Sequence, residues 1–476
     1  MNECKSISLL RGVIPTALVV CGFTPVLAQD FVLETSTLHP IFGETTSGHY
    51  TGCAWVDYDG DDDLDLFVIN PSANDLYRND GAGVFTPITT GILVTDGAVA
   101  ARGTSWADYD NDGDLDCFIS GIPSRLYQND GSGNFTKVVT GEIFTEDNRG
   151  WSSGWVDYDN DGFLDLVISH PGGFVGGGPP TPNHLYHNDG PPNYSFTKVD
   201  TGAVTQGVAA YTHGSWYDYD EDGDMDLFMA SGPASSSPRP DYIYVNQLTE
   251  TGVAGFLRLT DTKLATDSMD GQTWSIMDYD LDGDLDAFIS NWGQNSGLAR
   301  RNRLYRNDGG VYTEILGEPL ATDLDVSLSN VWGDFDNDGD EDCFVANDGS
   351  YPSRYYINNG DGSFTRVDTG FIAGNNNPNS GATVGDYDDD GDLDLFVAGA
   401  GPGNRLLFYN ELSSANHWLK VRPQGVYSNR SAIGAVARVK ATIGGSPVWL
   451  RRQVSASNSF MGHNMLDLHF GLGDAA

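Results

Sequence analysis

The sequence predicts an all-β fold: a seven-bladed β-propeller followed by a small β domain. Three observations carry this reading. An acidic nonapeptide recurs seven times, starting at Asp57, Asp108, Asp157, Asp218, Asp278, Asp334 and Asp386, with spacings of 51, 49, 61, 60, 56 and 52 residues. Periods of this size suit one four-stranded blade per repeat, and seven lies within the usual range of blade numbers. Short apolar runs and turn signals keep the same phase in every copy, which gives many short strands and argues against long helices. The repeats stop near residue 410, and the chain beyond differs in charge and pattern.

Residues 1–28 read as a secretory leader. Lys5 and Arg11 supply a basic start, residues 12–22 an apolar stretch too short to span a bilayer, and Val26, Leu27 and Ala28 a site for cleavage after Ala28. Cys21 raises lipidation as another route, but Val20 precedes it where a small residue is wanted. No later stretch has the length and apolarity of a membrane span, so the expected product is secreted or held at the cell surface. Cys53, Cys117 and Cys343 then remain, an odd and scattered set that makes no disulfide framework. Cys117 and Cys343 share the phase of Leu66, Leu166, Leu227 and Leu395 and read as small buried apolar residues. The 476 residues hold 25 basic and 67 acidic side chains, a formal charge of −42. Such a surface repels phosphate, which argues against nucleic acid as a partner.

The propeller is placed at residues 29–412, each blade reading as four antiparallel strands. The first runs into the acidic loop through Trp55, Trp106, Trp155, Trp216, Ile276, Trp332 or Val384. The second is the apolar run after the loop, such as LFVI or CFIS. The third resembles SRLYQNDG and ends in a turn signal; the fourth begins at Phe85, Phe135, Phe196, Phe256, Tyr312 or Phe364. Only six copies carry that fourth element. The distance from Phe31 to Trp55 predicts that residues 31–34 supply the outer strand of blade seven and close the ring, which removes two exposed sheet edges.

Within the nonapeptide, positions 1, 3, 5 and 9 are Asp in all seven copies. They are Asp57, Asp59, Asp61 and Asp65; Asp108, Asp110, Asp112 and Asp116; Asp157, Asp159, Asp161 and Asp165; and Asp218, Asp220, Asp222 and Asp226. The remaining three copies carry Asp278, Asp280, Asp282 and Asp286; Asp334, Asp336, Asp338 and Asp342; and Asp386, Asp388, Asp390 and Asp394. Position 6 is Gly in six copies. Alternating oxygen ligands around a sharp bend fit a hard cation that takes six to eight oxygens. Position 7 (Asp63, Asp114, Phe163, Asp224, Asp284, Asp340, Asp392) is assigned through its backbone carbonyl, which allows Phe163 there. No Cys or His lies in the loops, against zinc or copper, and magnesium prefers stricter geometry with retained waters. Calcium, up to seven ions with one per blade, is expected. An EF-hand is excluded because position 12 is apolar in every copy, for example Val68 and Ile119.

The DxDxDGxxD loop, set between an aromatic-led strand and an LFV-type strand across residues 31–410, resembles the FG-GAP/VCBS repeats of integrin-α-like β-propellers. The resemblance implies calcium in the loop joining strands one and two, held by the aspartates just named. Two residues depart from the pattern: Asp62 replaces the loop Gly in the first copy, and Glu341 replaces the usual apolar residue at position 8 in the sixth.

Residues 413–476 form the second domain. Segment 416–476 has seven basic and two acidic residues, a net +5, against −47 for the rest of the chain. Opposite signs predict docking on the propeller or on another acidic surface. The run AVARVKATI, a GGSP turn and VWLRRQV read as a hairpin. The string NHWLKVRPQGVYSNRSAIGAVARVKA, then RRQV and HFGLG, resembles the ASPIC/UnbV domain. A propeller followed by this domain is similar to the cartilage acidic protein family and its bacterial relatives, which are exported proteins without a general assigned activity. The family pattern runs on past HFGLG into a strand with a Trp-Pro pair, so the expectation is an incomplete domain at Ala476.

No catalytic constellation is found. GWSSG at residues 150–154 matches a nucleophile-elbow pattern but precedes a strand and is not followed by a helix. His184 and His187, three apart on a strand, face opposite ways and do not pair on a metal, even with His170 nearby. Insertions cluster between strands two and three, on the face opposite the acidic loops, where Trp292, Arg300, Arg301 and Tyr351 are candidates to read a partner. The expected function is a non-catalytic extracellular protein-binding or adhesive scaffold. The alternative is carbohydrate binding or processing, which predicts a Trp- and Tyr-lined pocket on that face.

Overall fold

Apolar runs of four to seven residues, covered on both faces, fold into seven four-stranded antiparallel sheets. The computed structural model describes residues 31–475 apart from 37–38, 43–49, 71–72, 97–100, 145–148, 171–180, 233–238, 294–300, 371, 373–377, 400–403 and 413–414. The leader assigned to residues 1–28, Arg300 and most of the long loops between strands two and three lie outside the described residues. No helix among the described residues is long and apolar enough to cross a membrane.

The inner strands are Cys53–Val56, Gly103–Ala107, Ser153–Val156, Tyr211–Tyr217, Gly271–Met277, Ser327–Gly333 and Asn379–Gly385. Each touches the next, and the last touches the first, so the seven blades form a closed ring. Blade seven takes its outer strand from the N-terminal side of the chain: Phe31–Leu33 pairs antiparallel with Leu406–Asn410, Phe31 opposite Asn410 and Leu33 opposite Phe408. Cys53, Cys117 and Cys343 are free and buried.

Two side chains join a blade to its neighbour at six of the seven junctions among the described residues. The aromatic at position 2 of the acidic loop packs on the outer-strand aromatic of the next blade, as in Tyr58 on Phe135 (6.2 Å) and Tyr109 on Phe196 (5.7 Å). At the closure, Phe335 meets Phe31 at 5.4 Å. The backbone carbonyl of the same aromatic accepts from the Asn ending the next blade's third strand: Asn129 Nδ2 to Tyr58, Asn188 to Tyr109, Asn358 to Tyr279, and Asn410 to Phe335, at 2.6–2.9 Å.

The C-terminal residues do more than follow the ring. Strand His417–Val421 pairs with Leu468–Gly473, and Val436–Ile443 forms a hairpin with Ser446–Gln453. Ile433, Leu450, Val454 and Phe470 share a buried cluster with Tyr109, Trp155 and Leu164 of the propeller. Residues 455–465 then enter the space between the inner strands. Thr104 N–H donates to Met461 O at 2.9 Å, and Ser105 Oγ to Ala456 O at 2.9 Å. Thr383 Oγ1 donates to His463 O at 2.8 Å, and Val384 N–H to Asn464 Oδ1 at 3.0 Å. His213 Nε2 lies 3.0 Å from Ser457 O, and Ser329 Oγ 3.2 Å from Ser459 Oγ. Burial pushes the His463 imidazole down to about 4. It is therefore neutral, with Nδ1–H donating to Asn464 O and Nε2 accepting the Trp106 N–H. This buried peptide plugs the centre of the ring.

Candidate metal centres

Each acidic loop joins an inner strand to the second strand of its blade. Its turn is imposed by the carboxylate at position 1, which accepts backbone N–H groups from the far side of the loop. Asp108 Oδ1 takes Asp112 N–H at 3.0 Å and Oδ2 takes Gly113 N–H at 2.8 Å; Asp157, Asp278 and Asp334 repeat the pattern. In all seven copies one oxygen of position 5 accepts the N–H of position 7, from Asp61 with Asp63 to Asp390 with Asp392. Position 9 anchors the loop to the sheet: Asp65 takes Asn79 N–H on one oxygen and Tyr58 N–H on the other, as do Asp116, Asp165, Asp226, Asp286 and Asp394 in their blades. In blade six Asp342 takes Asn358 N–H and the Tyr355 hydroxyl instead.

Positions 4 and 6 both adopt the left-handed conformation. Position 6 spans φ 92–113° at the six glycines, and Asp62 holds φ 74° at the same point of the first copy, so that copy keeps the turn at the cost of strain on a non-glycine residue. Position 4 is left-handed at Asn111, Asn160, Glu221, Leu281, Asn337 and Asp389, while the first copy places Gly60 there.

Position 3 is left over. Asp59, Asp110, Asp159, Asp280 and Asp388 each bury Oδ1 with no hydrogen-bond partner among the described residues. Oxygens of positions 1, 3 and 5 (Asp57, Asp59, Asp61; Asp218, Asp220, Asp222) or 1, 3 and 9 (Asp108, Asp110, Asp116; Asp157, Asp159, Asp165) converge within 4.8 Å of one another. Desolvation, reinforced by neighbouring carboxylates, pushes Asp59, Asp110, Asp220 and Asp388 up to about 6 and Asp108, Asp157 and Asp278 up to about 7. Crowded carboxylates whose negative charge is disfavoured by burial and by one another fit a bound cation.

Third-strand residues outside the nonapeptides also reach these clusters. His187 Nδ1 lies 3.3 Å from Asp159 and 3.2 Å from Asp165, and the same third-strand position in blade two places Gln128 Nε2 on Asp110. The loop sequences lack histidine, but the neighbouring strand brings one to the third cluster. The available signal was the period: the residue before the third-strand Asn faces the loop. His184 points away, its ring 4.2 Å from that of His170. Position-7 side chains turn toward neighbouring segments: Asp224, Asp284 and Asp392 accept backbone N–H groups from Thr249, Gly309 and Leu412, and Phe163 packs edge-on to Tyr194.

The basic C-terminal module lies on this acidic face. Lys420 contacts Asp386 (3.2 Å) and Asp389, Arg422 contacts Asp62 and Asp467, and Arg430 N–H donates to Asn111. Arg438 and Arg451 converge on Glu221, and Arg452 pairs with Glu341 at 3.3 Å. On the opposite face, Tyr50 and Trp292 both donate to Asp348 Oδ2 beside Trp151, above Phe460 and Met461 of the plug. Arg301 is engaged by Glu314 at 2.6 Å, and Tyr351 is half-buried. Ser152, at the centre of GWSSG, is buried 3.1 Å from the Ser169 hydroxyl and leads into a strand.

These features define a propeller of FG-GAP-like repeats: the model of that repeat matches residues 45–119, 123–168 and 334–397. The ASPIC and UnbV model matches residues 425–476, so the chain carries FG-GAP-like repeats followed by an ASPIC/UnbV domain. No curated protein matches the chain. Among solved structures it is similar to an Agrocybe aegerita lectin that recognises non-reducing terminal N-acetylglucosamine, at 13% identity and TM-score 0.46, covering 74% of this chain and 96% of that one. It is also similar to BBS1N in complex with ARL6DN (11%, TM-score 0.46, 82% and 98%) and to Saccharomyces cerevisiae Sqt1 (12%, TM-score 0.43, 77% and 98%).

Proposed function

We propose that the protein is an exported, non-catalytic scaffold whose blades are clipped by calcium and whose opposite face engages an extracellular protein. The observation that supports calcium is the buried, unpartnered oxygen at position 3 in five loops, set among carboxylates already aimed by backbone N–H groups. Positions 1, 3, 5 and 9 would hold the ion through side chains and position 7 through its carbonyl. The ion would supply positive charge and cross-link the two strands; the chain supplies the turn that gathers the oxygens. A ligand bound only by the folded state stabilises it by mass action. Melting in calcium and after EDTA treatment, with bound calcium counted by equilibrium dialysis, tests this. The expected result is a large drop in midpoint on chelation and several ions per chain, reduced by Asp110→Ala. Equal melting curves and no retained calcium would refute it.

A second reading, glycan binding, is supported by Tyr50, Trp151 and Trp292 gathered with Asp348 on the face opposite the loops, since aromatic faces with a few polar groups suit sugars. A glycan array with a turnover assay separates the readings. Binding lost in Trp292→Ala supports the lectin, turnover supports processing, and silence leaves the protein scaffold standing.

A further inference from the structure

Three departures from the repeat converge on one cavity. The inner strand carries Trp55, Trp106, Trp155, Trp216 and Trp332 in phase, but Ile276 and Val384 stand in blades five and seven. Position 8 of the loop is Leu or Met in six copies and Glu341 in the sixth. All three residues line a cavity of about 130 Å³ between blades four to seven and the C-terminal module. That volume approaches the roughly 150 Å³ that admits benzene in an engineered apolar cavity. A repeat that keeps indoles elsewhere and gives up two of them around one space has left that space open.

The chemistry of the walls is mixed. The module contributes Arg451, Arg452 and Asp467, the last already held by Arg422, with Asn458 and Asn464 of the plug, and the ring contributes Glu341. Arg452 Nε stands 3.3 Å from Glu341, so both signs of charge meet in one half-open pocket, each side chain about nine-tenths buried. Ile276 and Val384 supply an apolar wall. Opposite charges side by side, amide groups and an aliphatic surface suit a small polar ligand better than a packed core.

We propose that this cavity binds a small zwitterion of free amino-acid size, its carboxylate toward the guanidinium pair and its ammonium toward Glu341. The proposal is independent of the calcium reading, and its test runs at saturating calcium. The full-length chain is screened by thermal shift and calorimetry against the common L-amino acids at millimolar concentration, beside their N-acetylated and amidated forms. At least one free amino acid should raise the midpoint by several degrees while its blocked forms do not. Ile276→Trp, which fills the space with the repeat's own side chain, should abolish the shift. Glu341→Leu, the residue of the other copies, should weaken binding at least about tenfold, the loss of roughly 1.4 kcal/mol. Melting of the unliganded variants controls for folding. No shift across the panel, equal shifts from the blocked forms, or binding unchanged in both variants would overturn the proposal and leave a water-filled space.

Discussion

Phe460→Ala tests whether the central peptide holds the ring together. Phe460 is wholly buried against Trp151, Leu328 and Met461, while its backbone N–H donates to Ser329 Oγ at 3.3 Å. Truncating a buried Phe to Ala costs about 3–5 kcal/mol, including the cavity it leaves. Area gives a compatible figure: a Phe buries roughly 150–250 Å², which at about 25 cal/mol per Å² is about 4–6 kcal/mol before the retained methyl group is subtracted. At about 2 °C per kcal/mol, the low end for large chains, the midpoint should fall by roughly 6–10 °C. Scanning calorimetry at fixed calcium measures this, with limited proteolysis after residue 410 to see whether the C-terminal module is released first. Tyr427→Ala is the control: Tyr427 is 100% exposed, and its loss should move stability by no more than about 0.5 kcal/mol. If Phe460→Ala melts with the wild type, the central peptide fills space without joining the blades.

Three further outcomes follow from the geometry. Asn188→Ala removes the bonds to the Tyr109 and Leu164 carbonyls and should cost about 1–3 kcal/mol in urea unfolding; a neutral result would mean that the blades hold together without this staple. Metal-free protein should lose stability as pH rises from 5 to about 9. Desolvation and neighbouring charge raise the folded-state values of Asp110 to about 6, Asp157 to about 7 and Asp226 to about 9 from an unfolded value of 3.8, so their contribution is complete below 3.8 and disappears as pH passes through the raised values. Saturating calcium should flatten that fall, because the ion competes with protons for the same oxygens; identical pH profiles with and without calcium would contradict this account. Gly391→Ala should displace the module, since a Cβ there would stand 1.9 Å from Trp418, whereas Gly223→Ala meets open space and should cost only the roughly 1–2 kcal/mol of a left-handed alanine. Equal effects of the two, read by urea unfolding and by proteolysis of the module, would discount the contact.

Most of the ring was legible because each feature is repeated in phase. The indoles, the apolar runs and the spacing of Phe31 from Trp55 were enough to place four strands per blade and the shared outer strand. The acidic loops were legible as a constellation, but the roles within them were not. Position 9 reads as one more ligand, and the structure adds a second part for it: in six blades its oxygens also accept N–H groups from the third strand and from position 2, which depends on how the third strand lies beside the loop. His187 was set aside because strand alternation sends it away from His184; the same alternation sends it to Asp159 and Asp165. The central peptide was missed altogether. Residues 455–465 lack periodicity and mix small residues with Phe460, Met461 and His463, so no strand or helix pattern marks them. A trace was present in Gly52, beside an inner strand, where a Cβ would stand 1.7 Å from the carbonyl oxygen of Met461. Glycine in a strand marks close approach of another backbone, but nothing local says which one.

The axle of this assembly is made from residues that leave the ribosome after every blade. Strands emerging earlier can pair within their own sheets, but the hydrogen bonds that Thr104, His213, Ser329 and Thr383 make inward must wait for residues 455–465. Assembly is therefore completed from the centre outward in its last step, and a chain stopped before residue 455 forfeits contacts in blades two, four, six and seven at once.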